Sequence, residues 1–138
     1  MATFNKFNQF VEDTAEKVHN LGSDALTIAL TNTAPVATNS ILANITEISY
    51  TNCSSRVITI TSSSQTAGTY KLVLTDLVLT ATGGSVGPFR YVVMYNDTPT
   101  APADPLVAWW DYGSSITLAD GETLTIDFDA ANGVLQLA

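Results

Sequence analysis

The sequence predicts a mainly β protein, a β-sandwich of jelly-roll or Greek-key type with one N-terminal amphipathic α-helix. Three observations lead there. Apolar residues recur at three- and four-residue steps up to about residue 22 and in short strand-like runs after it. Those runs are rich in Val, Ile, Leu, Thr and aromatics, and Gly, Pro, Asn, Asp and Ser separate them. With 138 residues, 46% of them apolar, the chain has material for one core. Residues 1–138 are therefore read as one domain, a helix over 1–22 and a sandwich over 23–138.

The helix is predicted from Thr3 to about Leu21. At about 100° per residue, Phe4, Phe7, Phe10, Val11, Val18 and Leu21 share one arc of about 140°. Lys6, Glu12, Asp13, Glu16, Lys17 and His19 take the opposite side, with Asp13 and Lys17 at the favourable i,i+4 spacing. Thr3 is placed to cap the start and Gly22 to end it. Three phenylalanines in the first two turns require an apolar partner, because an isolated helix of this length is marginal in water. That partner is either the chain's own sheet or a neighbouring subunit.

Strands are predicted near 25–30, 45–50, 56–62, 70–81, 89–95, 106–112, 115–118, 123–128 and 134–137. Leu124, Ile126 and Phe128 alternate with Thr123, Thr125, Asp127 and Asp129, giving one buried and one wet face. Asp120-Gly121 reads as a turn joining this strand to the one before it. The run 70–81 is too long and too continuously apolar for a half-exposed strand, so Thr75-Asp76 marks a bulge or a bend between two packed sheets. Residues 89–95 are apolar at both parities and are expected to be covered on both faces. The segment 96–105, with Pro99, Pro102 and Pro105, reads as a projecting loop, and 31–40 with Pro35 as a second.

Charge and cysteine usage narrow the function classes. Thirteen acidic residues against five basic ones give a net charge of −8, which offers no electrostatic footprint for a phosphate backbone. Only 13% of residues are charged and roughly a fifth are Thr or Ser, so hydroxyls must cover much of the surface. A single cysteine, Cys53, excludes an internal disulfide, and a single histidine, His19, excludes a multi-histidine metal site. The amino terminus lacks the pattern of a signal peptide and no run reaches transmembrane length, so a soluble, unprocessed protein made in a cytoplasm is expected, with no membrane partner.

No cofactor is expected, and no motif identifies an enzyme. Asp97, Asp104, Asp111, Asp120, Glu122, Asp127 and Asp129 could supply calcium ligands or a carboxylate pair, yet none has a diagnostic spacing. No serine sits in a Gly-x-Ser-x-Gly elbow. Cys53 reads as a small packed residue, and the Gly-rich stretch 82–88, lacking a Lys-Ser/Thr ending, as a strand connection. Tyr91, Tyr95, Trp109, Trp110 and Tyr112 form an aromatic cluster on two neighbouring strands. Such rings serve as core, as subunit interface or as stacking platforms for sugars. Trp109 and Trp110 point to opposite faces by alternation.

The segments Phe4-Asn5-Lys6-Phe7, Val18-His19-Asn20-Leu21-Gly22, Leu30-Thr31-Asn32-Thr33-Ala34-Pro35, Gly87-Pro88-Phe89-Arg90-Tyr91, Asp111-Tyr112-Gly113-Ser114-Ser115 and Asp129-Ala130-Ala131-Asn132-Gly133-Val134 together resemble a family of small structural proteins of tailed bacteriophages and prophages. The resemblance spans nearly the whole chain. It implies a virion protein that decorates the capsid, typically a trimer cementing neighbouring major capsid subunits from outside. It carries no catalytic residue across. The interface residues expected on this reading are Phe4, Phe7, Phe10, Val11, Tyr95, Trp109 and Trp110. The alternative from another class is a tail or fibre-associated module that recognises a host glycan through the aromatic strands and the 96–105 loop.

Overall fold

Residues 2–138 are described by the computed structural model. In chain order they form β1 (Asn5–Lys6), α1 (Gln9–Ala15), β2 (Leu26–Thr31), a 3-10 turn (Leu42–Asn44), β3 (Ile60–Thr66), β4 (Thr69–Leu74), β5 (Leu77–Thr80), β6 (Val86–Asn96), β7 (Leu106–Leu118), β8 (Thr123–Ile126) and β9 (Leu135–Leu137). The protein is mainly β and β-sandwich-like. A four-stranded antiparallel sheet in the order β1-β7-β6-β2 packs against a three-stranded sheet, β3-β4-β9, and a β5-β8 pair.

Alternation along the central strands determines what lies on each side. Leu26, Ile28 and Leu30 of β2 with Val92 and Met94 of β6 face the other sheets, where Leu72, Leu74, Leu79 and Phe128 complete the main core. The residues between them, Ala29, Val93 and Tyr95, point the other way and form a second cluster with Phe7 and Leu106, under Leu42 and Ile45 of the connecting loop. Near its start β7 needs both faces at once. Met94 pairs with Ala108 but Tyr95 with Leu106, so Val107 is an extra residue in the ladder. This bulge puts Val107 and Ala108 on the core side while Leu106 and Trp109 stay on the other.

The outer edge of β2 is closed by an irregular segment. Ile48 and Ile58 donate their backbone N–H groups to Leu30 and Leu26, and Ile28 donates to Arg56. The Arg56 guanidinium caps the Ile28 carbonyl, and the Tyr50 hydroxyl accepts the Leu30 N–H at 2.9 Å. The outward carbonyls of Leu26, Ile28 and Leu30 and the N–H groups of Ile28 and Leu30 are thus paired, as a buried edge requires.

Several expectations hold. The break at Thr75-Asp76 separates β4 from β5, which join different sheets. Leu124, Ile126 and Phe128 point inward while Thr123, Thr125 and Asp127 are exposed. Of the Gly-rich stretch 82–88, residues 82–85 are a strand connection, while Val86, Gly87 and Pro88 already belong to β6.

Others are corrected. The N-terminal helix does not run from Thr3 to Leu21; only Gln9–Ala15 is helical, behind the short strand β1. An odd spacing in extended chain places Phe4 and Phe7 on opposite faces, and β7 offers an indole on each, which is worth more than two further helical turns. No side chain caps the helix, Thr3 included. It closes at a Glu16 cap rather than at Gly22, followed by Lys17, left-handed at φ 66°, with the Val18 N–H reaching back to the Asp13 carbonyl. Asp13 does not pair with Lys17: it is buried and accepts from Gln9 Nε2. His19, expected on the wet side, is 8% exposed. The strand expected at 45–50 is irregular, and the one at 56–62 shifts to β3. The strands at 106–112 and 115–118 fall within one β7, whose ladder with β6 is interrupted between Asp111 and Ile116, and Asp120-Gly121 turns into β8, which pairs with β5 rather than with β7.

Candidate functional site

The two indoles of β7 have different surroundings. Trp109 packs on Phe7, with ring centroids 4.5 Å apart, in the second cluster. Trp110, on the other face, meets Phe4 edge-on at 5.7 Å and Phe128 at 5.9 Å. Two residues on, Tyr112 extends from the same face as Trp110 and is 53% exposed. Across from them lies β8, whose Leu124, Thr125 and Ile126 form, with the following Asp127, the far wall of a groove of about 390 Å³, with Val92 of β6 at its base. Thr125 and Asp127 contribute a hydroxyl and a carboxylate to an otherwise apolar lining. A smaller recess of about 150 Å³ continues past Trp110 and Asp127 toward Phe4 and Gly133.

The chain's one ion pair among the described residues flanks this groove. Arg90 donates through Nε and Nη2 to both carboxylate oxygens of Asp111, at 2.8 and 3.0 Å. The guanidinium, with the Gly113 N–H bonded to the same carboxylate, holds Asp111 below the usual carboxylate range. Both partners are about 40% exposed, so the pair fixes geometry more than it stabilises the fold.

Of the residues expected to act at an interface, Phe7, Phe10 and Tyr95 are buried within the chain itself. Phe4, Trp109 and Trp110 are half-buried against other side chains of the same chain, and only Val11, 54% exposed, is turned fully to solvent. Trp110 and Tyr112 line the groove, with Phe4 against Trp110 in the adjoining recess; Phe7, Tyr95 and Trp109 gather on the other side of the sheet. Phe10 instead stacks at 5.1 Å on His19.

The acids weighed as metal ligands serve local turns. Asp120 accepts the Gly83 N–H, Glu122 the Ala119 N–H, Asp127 the Asp129 N–H, and Asp129 binds Asn132 through backbone and side chain. Asp104 lies beside Asp97, and partial burial with that neighbouring charge raises its carboxyl above the ordinary value. Among the described residues, no group of three or more His, Cys, Asp or Glu stands together to hold a metal ion. Cys53 is half-buried, and burial pushes its thiol upward, the opposite of an activated nucleophile.

Sequence reasoning missed three features. One is the Arg56 guanidinium stacked 3.6 Å above the Tyr50 ring; basic and aromatic residues six positions apart in an irregular segment leave no periodic signal. The second is the exposure of Tyr112, whose place on the Trp110 face alternation does give. The third is a buried polar cluster at His19, beside a cavity of about 480 Å³ lined in part by Thr14, Lys17, Ser63 and Tyr70.

Comparison with protein-family models, with curated proteins and with solved structures returned no match to this chain. No helix of the described residues is long and apolar enough to cross a membrane.

Proposed function

We propose that this protein is a capsid decoration, or cement, protein of a tailed bacteriophage. It would bind the outer surface of the icosahedral head as a homotrimer and stabilise contacts between major capsid subunits. On this reading it is made in the host cytoplasm, resides on the virion, and acts without a cofactor, a nucleic-acid partner or a membrane. The observation that carries the proposal is the open edge of β7. Strand β1 covers only Ala108 and Trp109 of this 13-residue strand. Beyond them Tyr112, Gly113, Ser114, Ser115 and Thr117 are exposed. Monomeric proteins blunt such an edge with lysine, proline or a bulge. This one carries hydroxyls and glycine, and its single charge, Asp111, is neutralised by Arg90. The ladder with β6 bulges between Asp111 and Ile116, and an uncharged, hydroxyl-rich projection of this kind suits a surface that another chain covers.

The sandwich is further proposed to be of jelly-roll or Greek-key type. Strands β2 and β6, and β1 and β7, are sheet neighbours joined by long connections, which supports that assignment.

Co-sedimentation with purified shells lacking their decoration tests the function. Binding that saturates at a fixed ratio to the capsid subunit, and that Ser115→Pro abolishes while circular dichroism stays unchanged, is the expected result. Absence of binding by the folded wild-type protein overturns the proposal.

A second reading, a tail or fibre-associated module for a host glycan, is favoured by one observation: Trp110, Tyr112, Thr125 and Asp127 line a common groove. Aromatic faces with a few polar groups suit pyranose rings. Binding on a glycan array that is lost in Tyr112→Ala, with the fold retained, would establish it; the absence of binding to any glycan would remove it.

A further inference from the structure

The buried polar cluster belongs neither to the groove nor to the β7 edge. The Asn96 side chain, at the end of β6, is wholly buried. Its Oδ1 accepts the Thr98 N–H at 3.1 Å and its Nδ2 donates to Asp24 Oδ2 at 2.6 Å. Those two bonds fix which end of the amide is which. Nδ2 also lies 3.0 Å from His19 Nδ1, so His19 must accept there and carry its hydrogen on Nε2. Asp24 in turn accepts the Asn20 N–H at 2.7 Å. The 19–24 segment is therefore tied to the end of β6 by two bonds, of which the one at His19 requires a neutral imidazole.

We propose that His19, Asn96 and Asp24 form a proton-sensitive latch holding residues 16–24 against the end of the central sheet, with α1 resting on it through the Phe10 ring. Protonation places a second hydrogen on Nδ1, which then faces the N–H of Asn96: two donors with no acceptor between them. Asn96 cannot flip its amide without breaking its bonds to Thr98 and Asp24. The groups facing the imidazole are Asp13 from α1, Asp24 from the turn before β2, Asn96 from β6 and the Phe10 ring. Lys17 and Tyr70 border the adjoining cavity. Asp13 and Asp24 favour the cation, but burial opposes it more strongly, and the group is held below its ordinary value. Asp13 Oδ2 and His19 Nε2 are both buried with no hydrogen-bond partner among the described residues, so α1 has no polar tie to the imidazole.

The sign follows by linkage. With the folded-state value lowered, the unfolded chain binds the proton first as pH falls. The latch contributes fully above about 6.5, the ordinary imidazole value, and its contribution declines below that until His19 is charged in the folded state too. Opening frees Phe10 and Leu21, which close the main core from this side.

His19 is the only histidine, so its imidazole resonances titrate alone in a proton NMR spectrum of the full chain. The midpoint is expected below about 6.5. Amide hydrogen-exchange protection of residues 9–24 should fall about tenfold or more across it, while β2 and β6 keep theirs. In Asn96→Asp the new carboxylate accepts from Nδ1–H, and the midpoint should rise above the ordinary value. A wild-type midpoint at or above about 6.5, or unchanged protection of residues 9–24 through it, overturns the latch. Should Asn96→Asp fail to fold, His19→Gln serves: the pH dependence of that protection should vanish, and its persistence also overturns the proposal.

Discussion

The ring of Phe7 lies 4.5 Å from that of Trp109, while Phe4, three residues earlier, meets Trp110 on the opposite face of the same strand. The N-terminal segment thus grips the edge of β7 from both sides. Two successive indoles point to opposite faces in any strand, and a strand-like arm with phenylalanines at an odd spacing reaches both. A helix through the same residues would put both rings on one face and leave one indole without its partner.

This grip makes Phe7 a core residue of the chain. Phe7→Ala is expected to lower stability by about 3–5 kcal/mol, the usual cost of truncating a fully buried phenylalanine. Val11→Ala, at an exposed position of α1, should stay within about 0.5 kcal/mol. Urea denaturation of both variants measures this, and equal losses would contradict the placement of the two residues.

Tyr50 closes the edge of β2 with its hydroxyl, which accepts the Leu30 N–H and donates to Glu47. Burial, the largest cause, pushes the phenol well above its ordinary value. Tyr50→Phe keeps the ring beneath Arg56 but leaves the Leu30 N–H unpaired, at a cost of about 1–3 kcal/mol. Faster exchange of the Leu30 amide, with its neighbours in β6 unaffected, would locate the loss there.

Gly87 sits where β6 bends over β7, at φ 128°, and a Cβ added to it would stand 2.8 Å from the Ile116 carbonyl oxygen. Only glycine fits. Gly87→Ala should destabilise the protein by about 1–3 kcal/mol, whereas Gly121→Ala, with nothing near its added Cβ, carries the cost of its positive φ alone. Thermal melts of the two variants should rank in that order.

Asp111 offers a pH test with the opposite sign to that of His19. Its carboxyl is held below the ordinary value near 3.8 by Arg90 first and the Gly113 N–H second. The associated stability is present above that value and is lost as pH falls through the lowered one. Asp111→Asn should therefore be less stable than wild type at about pH 7 and indistinguishable from it near pH 2. A difference that persists in acid would mean that the side chain acts by packing instead.

How far the sequence reveals this molecule depends on the kind of signal each part leaves. Strand alternation is local, so Leu124, Ile126 and Phe128 were assigned inward correctly, and the polar pair Thr75-Asp76 marked the passage between sheets. The first 22 residues misled because three- and four-residue spacing also describes an arm whose phenylalanines serve two faces of another strand. That choice depends on Trp109 and Trp110, about a hundred positions away. His19 was placed in solvent for a related reason: its partners Asp24 and Asn96 come from different elements, and a left-handed Lys17 is invisible in the pattern. The groove was half legible, since alternation joins Trp110 to Tyr112, while its β8 wall follows from sheet packing.

The proposal that this chain decorates a capsid is tested most directly by its copy number and position on purified particles, by cryo-electron microscopy with quantitative mass spectrometry. The account predicts hundreds of copies, in trimers over the capsid faces, with residues 110–117 of β7 against a neighbouring chain. A few copies at a single vertex, on the tail or its fibres, would contradict it.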